Sequence, residues 1–292
     1  MESVSEQALL LGPRRALVAI ISEGAPAAGT ASLPTFVVLN AGIVHRVGAN
    51  RMSVPLARAL AAKGCTVVRF DLSGIGDSEP RPDAISPSEG ALADIRDALD
   101  SLEASRGTKR FVLVGLCSGA DYAAYLGGYD DRVVGAVLLE PSFPPPRRHW
   151  ILHYGPRIKR PTSWANVVSG RSNTLKRTGQ RIVESVRRQL SPPAEHELPR
   201  APGMSVREPR QLIHSVYSRL RDRGIPLLVA LTGESWYYRE SFVDAFPGLR
   251  FDDLTVDYLQ EADHTFAGAA DRRRLIDAIV GWSGQPGRFR LL

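Results

Sequence analysis

Continuously apolar runs alternate along the chain with longer segments of helical spacing. The runs TFVVLN (35–40), RFVLVG (110–115) and IPLLVALTG (225–233) are almost wholly apolar, which is typical of strands buried on both faces. The segment at 86–105 has a helical pattern and opens with Ser-Pro-Ser-Glu, a typical start of a helix. This alternation predicts an α/β fold in which helices cover both faces of a mostly parallel sheet.

The predicted sheet begins with an N-terminal hairpin, formed by ALLLG and ALVAIIS around the turn PRR. Further strands are expected at 35–40, 65–71, 110–115, 132–140, 225–233 and 254–260. Helices are expected at 49–64, 86–105, 118–128, 207–223, 239–246 and 268–284, with more helical chain near 165–190.

The alternation breaks in the middle of the chain, where proline and arginine are frequent. We interpret residues 142–223 as an insertion, a basic and largely helical cap. The core of the protein is then formed by residues 1–141 together with residues 224–292.

Charge divides the chain in the same way. The whole sequence has a formal net charge of +6, but residues 142–223 alone hold 17 basic and 5 acidic residues. The remainder holds 20 basic and 26 acidic residues, so a basic segment is set in a mildly acidic body. Such a segment is either an arginine-rich solvated surface or the side that meets an anionic partner.

The bulk composition narrows the class of protein. The 292 residues are 43% hydrophobic and 23% charged, which is ordinary for a globular protein. No apolar run is long enough for a membrane span, no secretory signal is expected, and two cysteines do not suggest a disulfide framework. We therefore expect a cytoplasmic protein. Nucleic acid is not an expected ligand, because aromatic residues are not interleaved with the basic ones.

The stretch FVLVGLCSGADYAAYLGG (111–128) predicts a strand, a tight turn and a helix, with Cys117 at the turn. Residues two before and two after the tip of such a turn must be small, and around Cys117 they are Gly115 and Gly119. If Ser118 stood at the tip, Leu116 would fall where a side chain clashes. The spacing therefore selects Cys117, at a helix N-terminus that favours a thiolate. The alternative is an inactive turn with a small buried cysteine.

Several other segments match motifs of one known family. They are VVLNAG (37–42), VVRFDLSGIGDS (67–78), IPLLVALTGE (225–234) and ADHTFAG (262–268). Together with the cysteine turn, they resemble the alpha/beta-hydrolase superfamily from about residue 8 to residue 283. The family's His-Gly loop is Ala-Gly here. The segments NAGIVHRVGANR, FDLSGIGDS and GLCSGAD, taken together, look most like hydrolases associated with exosortase systems and their relatives in biosynthetic clusters.

The resemblance implies a catalytic triad in the chain order nucleophile, acid, histidine. His264 then stands in the place of the general base. Glu234, which follows the penultimate strand, is the first candidate for the acid. Glu140, at the end of the preceding strand, is the runner-up, and Asp244 is a more distant alternative. Asp263 is expected to cap the histidine loop instead.

The resemblance also implies an oxyanion hole, a set of N–H groups that stabilise the negative oxygen formed during acyl transfer. The backbone N–H groups of Ser118 and Ile43 are the candidates, and the side chain of Ser118 has no implied role. Gly42, His45 and Arg46 follow as candidate substrate-binding residues, with the last two facing a carboxylate or phosphate. The alternative for His45 and Arg46 is a solvated loop.

No cofactor and no metal ion is expected. The glycines of SGIGDS match a dinucleotide-binding loop only in part, because Gly74 and Gly76 are followed by no suitable third glycine or helix start. No cluster of residues has the spacing of metal ligands.

A cysteine at this turn predicts an enzyme that forms an acyl-thioester intermediate and hydrolyses or transfers an acyl group. Families with a similar cysteine turn include dienelactone hydrolases, polyhydroxyalkanoate synthases and some Dieckmann cyclases. The expected substrate is a small-molecule ester or thioester, and an acyl carrier protein or coenzyme A is a possible partner at the basic cap. The alternative is a catalytically inactive binding module that uses the cap to hold an anionic partner.

Overall fold

The computed structural model describes residues 4–25, 33–142, 209–233, 250–285 and 288–289. The chain divides into a larger unit, residues 1–144 with 198–292, and a smaller unit, residues 145–197, which lies wholly outside the described ranges. The predicted helices at 165–190 and 239–246 also lie outside them. The fold below is that of the larger unit.

Eight strands form a single sheet in the order β1-β2-β4-β3-β5-β6-β7-β8. The strands are β1 (Ser5–Leu11), β2 (Leu17–Glu23), β3 (Thr35–Val38), β4 (Val67–Phe70), β5 (Phe111–Leu116), β6 (Val133–Leu139), β7 (Leu227–Thr232) and β8 (Leu254–Leu259). The first two strands form an antiparallel hairpin, β2 runs antiparallel to β4, and all later pairs are parallel. The predicted α/β class, the hairpin and the mostly parallel eight-stranded sheet are confirmed.

Five α-helices are described in the larger unit, and their ends follow the sequence signals within a few residues; a short 3-10 helix, Ala49–Arg51, precedes the first of them. They are α1 (Ser53–Ala61), α2 (Pro87–Arg106), α3 (Ser118–Tyr129), α4 (Pro209–Asp222) and α5 (Ala269–Ser283). Ser86 and Glu89 form a capping box at the start of α2, and Gly107 ends that helix with φ +69°. None of the helices in the described ranges is both long and apolar enough to cross a membrane.

Strand β5 shows why the central runs are continuously apolar. All six of its residues are buried, and they alternate between two apolar clusters. Phe111 and Leu113 point into the cluster shared with α2, α3 and α4, whereas Val112 and Val114 point into the cluster shared with α1 and α5. Helices therefore cover both faces of the sheet. Burial of each such apolar side chain contributes roughly 1.5–3 kcal/mol to the stability of the folded state.

Helix α4 lies within the predicted cap but packs on the core. Its residues Val216, Tyr217 and Leu220 are buried in the same cluster as helix α3. A Cβ atom on Gly127 of α3 would lie 2.7 Å from Leu220 Cδ2, so this glycine allows the two helices to approach. This helix belongs to the larger unit, although the predicted cap, residues 142–223, includes it.

Arg223, directly after α4, caps the C-terminal end of α3. Its guanidinium donates hydrogen bonds to the carbonyl oxygens of Asp130 at 2.9 Å and of Asp131 and Val133 at 3.1 Å, and also to that of Gly127. A cation at the C-terminus of a helix also interacts favourably with the helix dipole. Helix α3, which carries Cys117 at its N-terminus, is therefore held at its far end by one side chain.

We expect Arg223→Ala to lower the free energy of unfolding by about 1–3 kcal/mol, because several carbonyl groups lose a charged donor. Guanidinium chloride unfolding followed by circular dichroism measures this change. Arg221→Ala is the matched control, since Arg221 lies on the same helix and, among the residues that the structure describes, pairs only with its exposed neighbour Asp222 at 2.6 Å. Equal effects of the two substitutions would contradict this account.

Candidate active site

Cys117 occupies a tight turn between β5 and α3. Its backbone has φ +55° and ψ −120°, a conformation that side-chain-bearing residues rarely adopt. The Cys117 N–H donates to the Leu139 carbonyl at 2.9 Å, which ties the turn to the end of β6. Such a backbone costs of order 1–3 kcal/mol and persists only where the surroundings enforce it. The thiol is partly exposed at the end of the sheet.

The two glycines beside this turn are required by backbone contacts. A Cβ atom on Gly115 would lie 2.1 Å from the carbonyl carbon of Gly119, and one on Gly119 would lie 2.5 Å from the carbonyl oxygen of Asn40. Both distances are shorter than any real Cβ contact. The structure therefore places Cys117 at the tip, in agreement with the spacing argument, and Ser118 in the first turn of α3.

Glu140 is the carboxylate that the structure brings to the histidine. It directly follows β6, is buried, and has φ +51°. Its Oε2 lies 3.1 Å from Nδ1 of His264, and its Oε1 accepts the Thr232 N–H at 2.5 Å. The runner-up acid thus contacts the predicted base, whereas Glu234, the first candidate, and Asp244 lie outside the described residues.

The His264 imidazole interacts with both of its proposed partners. The hydrogen bond to the Cys117 side chain and then that to Glu140 raise the pKa of His264 from 6.5 to about 10, against the opposing effect of burial. The ring is therefore protonated at neutral pH. A protonated imidazole beside a cysteine favours the thiolate, which is the nucleophilic form.

The loop that carries His264 is held in place by the side chains of Asp263, Phe266 and Asn50. Asp263 accepts hydrogen bonds from the Thr265 N–H at 2.8 Å and from the Ala267 N–H at 2.9 Å, so it caps the loop as predicted. The Thr265 hydroxyl, which donates to Asp263 at 2.7 Å, and then these backbone bonds lower the pKa of Asp263. Phe266 is fully buried with φ +53°. The Asn50 side chain donates to the Thr265 carbonyl at 3.1 Å from the opposite loop.

The loop after β3, residues 39–44, is built around the buried side chain of Asn40. Its Nδ2 donates to the Val44 carbonyl at 2.8 Å, and its Oδ1 accepts the Leu72 N–H at 3.0 Å. The Ser118 hydroxyl accepts the Gly42 N–H at 2.8 Å. The sequence analysis assigned no role to the side chains of Asn40 and Ser118. The one signal for Asn40 is that it is a polar residue in an otherwise apolar run.

Arg46 is not directed at a substrate anion as expected. Its guanidinium pairs with Asp71 and, at 2.6 Å, with Asp77, and its own N–H donates to Asp71 at 2.5 Å. The motif SGIGDS therefore serves to anchor the loop of Arg46, because Gly76 leaves room for the Asp71 carboxylate. His45 is exposed beside it. Arg46 is thus paired within the protein while His45 is exposed, and a role of either residue in substrate binding stays a prediction.

No metal site is apparent in the described ranges, since they contain no group of three or more His, Cys, Asp or Glu side chains placed to hold an ion. The charged side chains of the site instead pair with one another. The arrangement can therefore hold a proton on His264 beside the sulfur of Cys117, with Glu140 behind the ring.

Comparison with protein families gives one match. A model described as the alpha/beta hydrolase family matches residues 43–278, which is most of the chain and includes Cys117, Glu140 and His264. None of the curated proteins compared with the chain matches it.

Solved structures share the fold at low identity. An esterase from Pyrococcus furiosus superposes with a TM-score of 0.53 at 11% identity, over 97% of this chain and 92% of its own. Proline iminopeptidase from Mycobacterium smegmatis gives 0.52 at 19% identity, over 96% and 97%. The ferulic acid complex of Est1E from Butyrivibrio proteoclasticus gives 0.54 at 11% identity, over 91% and 93%. These likenesses concern the fold alone.

The raised pKa of His264 gives a direct test of this geometry. We expect Glu140→Gln to lower it from about 10 towards 6.5, because the neutral amide no longer favours the protonated ring. NMR titration of the histidine side chains measures this shift, with His264 assigned by its loss in His264→Gln. Glu79→Gln, at an exposed position, is the control. An unchanged pKa in Glu140→Gln would show that the carboxylate does not act on the ring.

Proposed function

The chain belongs to the alpha/beta hydrolase family, and we propose that it is a cysteine enzyme that cleaves esters or thioesters through an acyl-thioester on Cys117. In this proposal His264 is the acid–base group and Glu140 orients it. The acyl group then passes to water or to another acceptor. The resemblance of the segments NAGIVHRVGANR, FDLSGIGDS and GLCSGAD to hydrolases of exosortase systems and biosynthetic clusters favours a role in a biosynthetic pathway.

The observation that carries this proposal is the contact of one imidazole with both Cys117 and Glu140. The three residues come from the ends of two neighbouring strands and from the loop after β8, as a triad requires. Glu140 is preferred to Glu234 as the acid because its Oε2 lies 3.1 Å from His264 Nδ1. The Thr232 N–H donates to Oε1 of Glu140, and this hydrogen bond fixes the carboxylate with Oε2 towards the imidazole ring.

The proposed reaction proceeds in two halves. The Cys117 thiolate attacks the acyl carbonyl carbon, a carbon–sulfur bond forms, and the carbonyl electrons move to its oxygen. That oxygen is stabilised by the N–H groups of Ser118 and Ile43. The bond to the leaving alkoxide or thiolate then breaks, and His264 donates the proton that the leaving group takes up. In the second half His264 removes a proton from the acceptor, which attacks the thioester and releases Cys117.

We also propose that the acyl donor is anionic, such as a coenzyme A thioester or an acyl carrier protein. The support is the sequence charge: residues 143–208 hold 13 basic and 4 acidic residues, while the chain outside 142–223 is net acidic. A local excess of this kind raises the encounter rate with an anion, and salt screens the effect.

Covalent labelling tests the nucleophile. Treatment with iodoacetamide or an activated ester at neutral pH is expected to add one group to the wild-type protein, and Cys117→Ala is expected to gain none. Intact mass spectrometry measures the adduct. Cys65, the other cysteine, is buried and its pKa is raised to about 11 by burial, so it is expected to remain a thiol.

Cys65→Ala is the matched control, because it also removes one thiol but should keep the adduct. Wild-type protein that stays unmodified by either reagent would refute the enzyme and favour the inactive binding module. An ester adduct that persists in Cys117→Ala would place the nucleophile elsewhere.

Salt dependence tests the anionic donor. With acetyl coenzyme A, we expect kcat/KM to fall several-fold as sodium chloride rises from about 50 to 500 mM, because screening weakens the attraction. With the acetyl thioester of N-acetylcysteamine, which has no phosphates, kcat/KM should change little. The charge reversal Arg187→Glu with Arg188→Glu should lower kcat/KM for the coenzyme A thioester only.

Arg273→Glu with Arg274→Glu, at two exposed positions on α5, makes the same change in net charge and is the control. Equal salt dependence for the two thioesters, or an equal loss of kcat/KM in the control, would show that the basic segment does not recruit the donor.

A further inference from the structure

We propose that the hydroxyl of Ser118 is a positioning group that sets the spacing between the two halves of the oxyanion hole. This inference rests on the proposed function, because it concerns the same reaction. It assigns a role to a side chain that the sequence left without one. The role is exerted through a backbone loop and not by contact with the substrate.

The contact that supports the inference joins two distant parts of the chain. Ser118 Oγ accepts the N–H of Gly42 at 2.8 Å, in a partly buried place and across 76 residues of sequence. Ser118 is the first residue of α3, so its own N–H points out of the helix N-terminus without an intrahelical partner. One residue therefore supplies a donor of the hole and also holds the loop that supplies the other donor.

Packing by the described residues does not fix the tip of that loop. A Cβ atom on Gly42 would meet none of their atoms within 4 Å, and Ile43 is 91% exposed. The base of the loop is tied by the Asn40 side chain and by the Val44 N–H, which donates to the Ala41 carbonyl at 3.0 Å. Between these ties, the Ser118 hydroxyl is the described contact that fixes Gly42, the residue before the Ile43 donor.

The position of that donor matters only when an oxyanion forms. Donors stabilise the developing negative oxygen when they lie about 2.7–3.1 Å from it, so a displaced loop weakens acyl transfer. Alkylation by iodoacetamide is a displacement at a saturated carbon and produces no oxyanion. Loss of the Ser118 hydroxyl should therefore slow acylation of Cys117 while its alkylation continues at the same rate.

The experiment compares two reactions of the same sulfur in full-length protein. In Ser118→Ala, the burst of p-nitrophenolate from p-nitrophenyl acetate should be about tenfold slower than in wild type, less than the 10²–10³-fold cost of deleting a donor outright. The rate of iodoacetamide alkylation should stay within about twofold of wild type. Ser118→Thr, which keeps the hydroxyl, should restore the acylation rate. Ser105→Ala removes a hydroxyl from an exposed place on α2 and is the control.

Three outcomes would overturn the inference while leaving the proposed function intact: acylation as fast as wild type in Ser118→Ala, an equal loss of acylation and alkylation, or no restoration by Ser118→Thr. A wild-type protein that alkylates but is not acylated would instead overturn the proposed function, and the inference with it. An alkylation rate in Ser118→Ala within about twofold of wild type would also show that the variant is folded around Cys117.

Discussion

The site depends on a backbone approach at the turn after β5 that leaves no room for side chains. Gly115 and Gly119 lie so close to each other, and Gly119 so close to the Asn40 carbonyl, that any Cβ atom would collide. The approach forces Cys117 into φ +55° and lifts its sulfur above the end of the sheet. The packing of the buried strand β5 and of helix α3 offsets the free-energy cost of this strained backbone. Arg223 holds the far end of α3.

Charge organises the rest of the site around that turn. Glu140 and Cys117 stand at the ends of adjacent parallel strands, and both have a positive φ. This geometry turns the two side chains towards one imidazole, which both of them hold in its protonated form. Both oxygens of the buried Glu140 carboxylate are hydrogen-bonded, so the carboxylate is held in place and in turn orients the imidazole ring. The site is therefore set by the ends of strands and not by flexible side chains.

Much of this could be predicted because it is local in the sequence. The apolar runs fixed the strands, Ser86 and Gly107 marked a helix, and the glycine spacing placed the turn at Cys117. These features need only nearby residues and general stereochemistry.

Three features could not be predicted because they depend on which side chains meet in space. Glu140 and Glu234 both follow strands, and only the fold shows that the first reaches His264. Arginine side chains are usually exposed to solvent, yet the guanidinium of Arg46 forms ion pairs with Asp71 and Asp77. Ser118 contacts Gly42 across 76 residues, and nothing local to either residue indicates the pair.

Phe266, two residues beyond His264, limits how the centre can adapt. Its ring is fully buried, and withdrawing it into water would cost roughly 2–3 kcal/mol. Any displacement of the segment that bears the imidazole which also withdraws this ring would carry that cost. Under the proposed function, acyl groups of different size would therefore be accommodated by parts of the protein other than the segment that bears the imidazole.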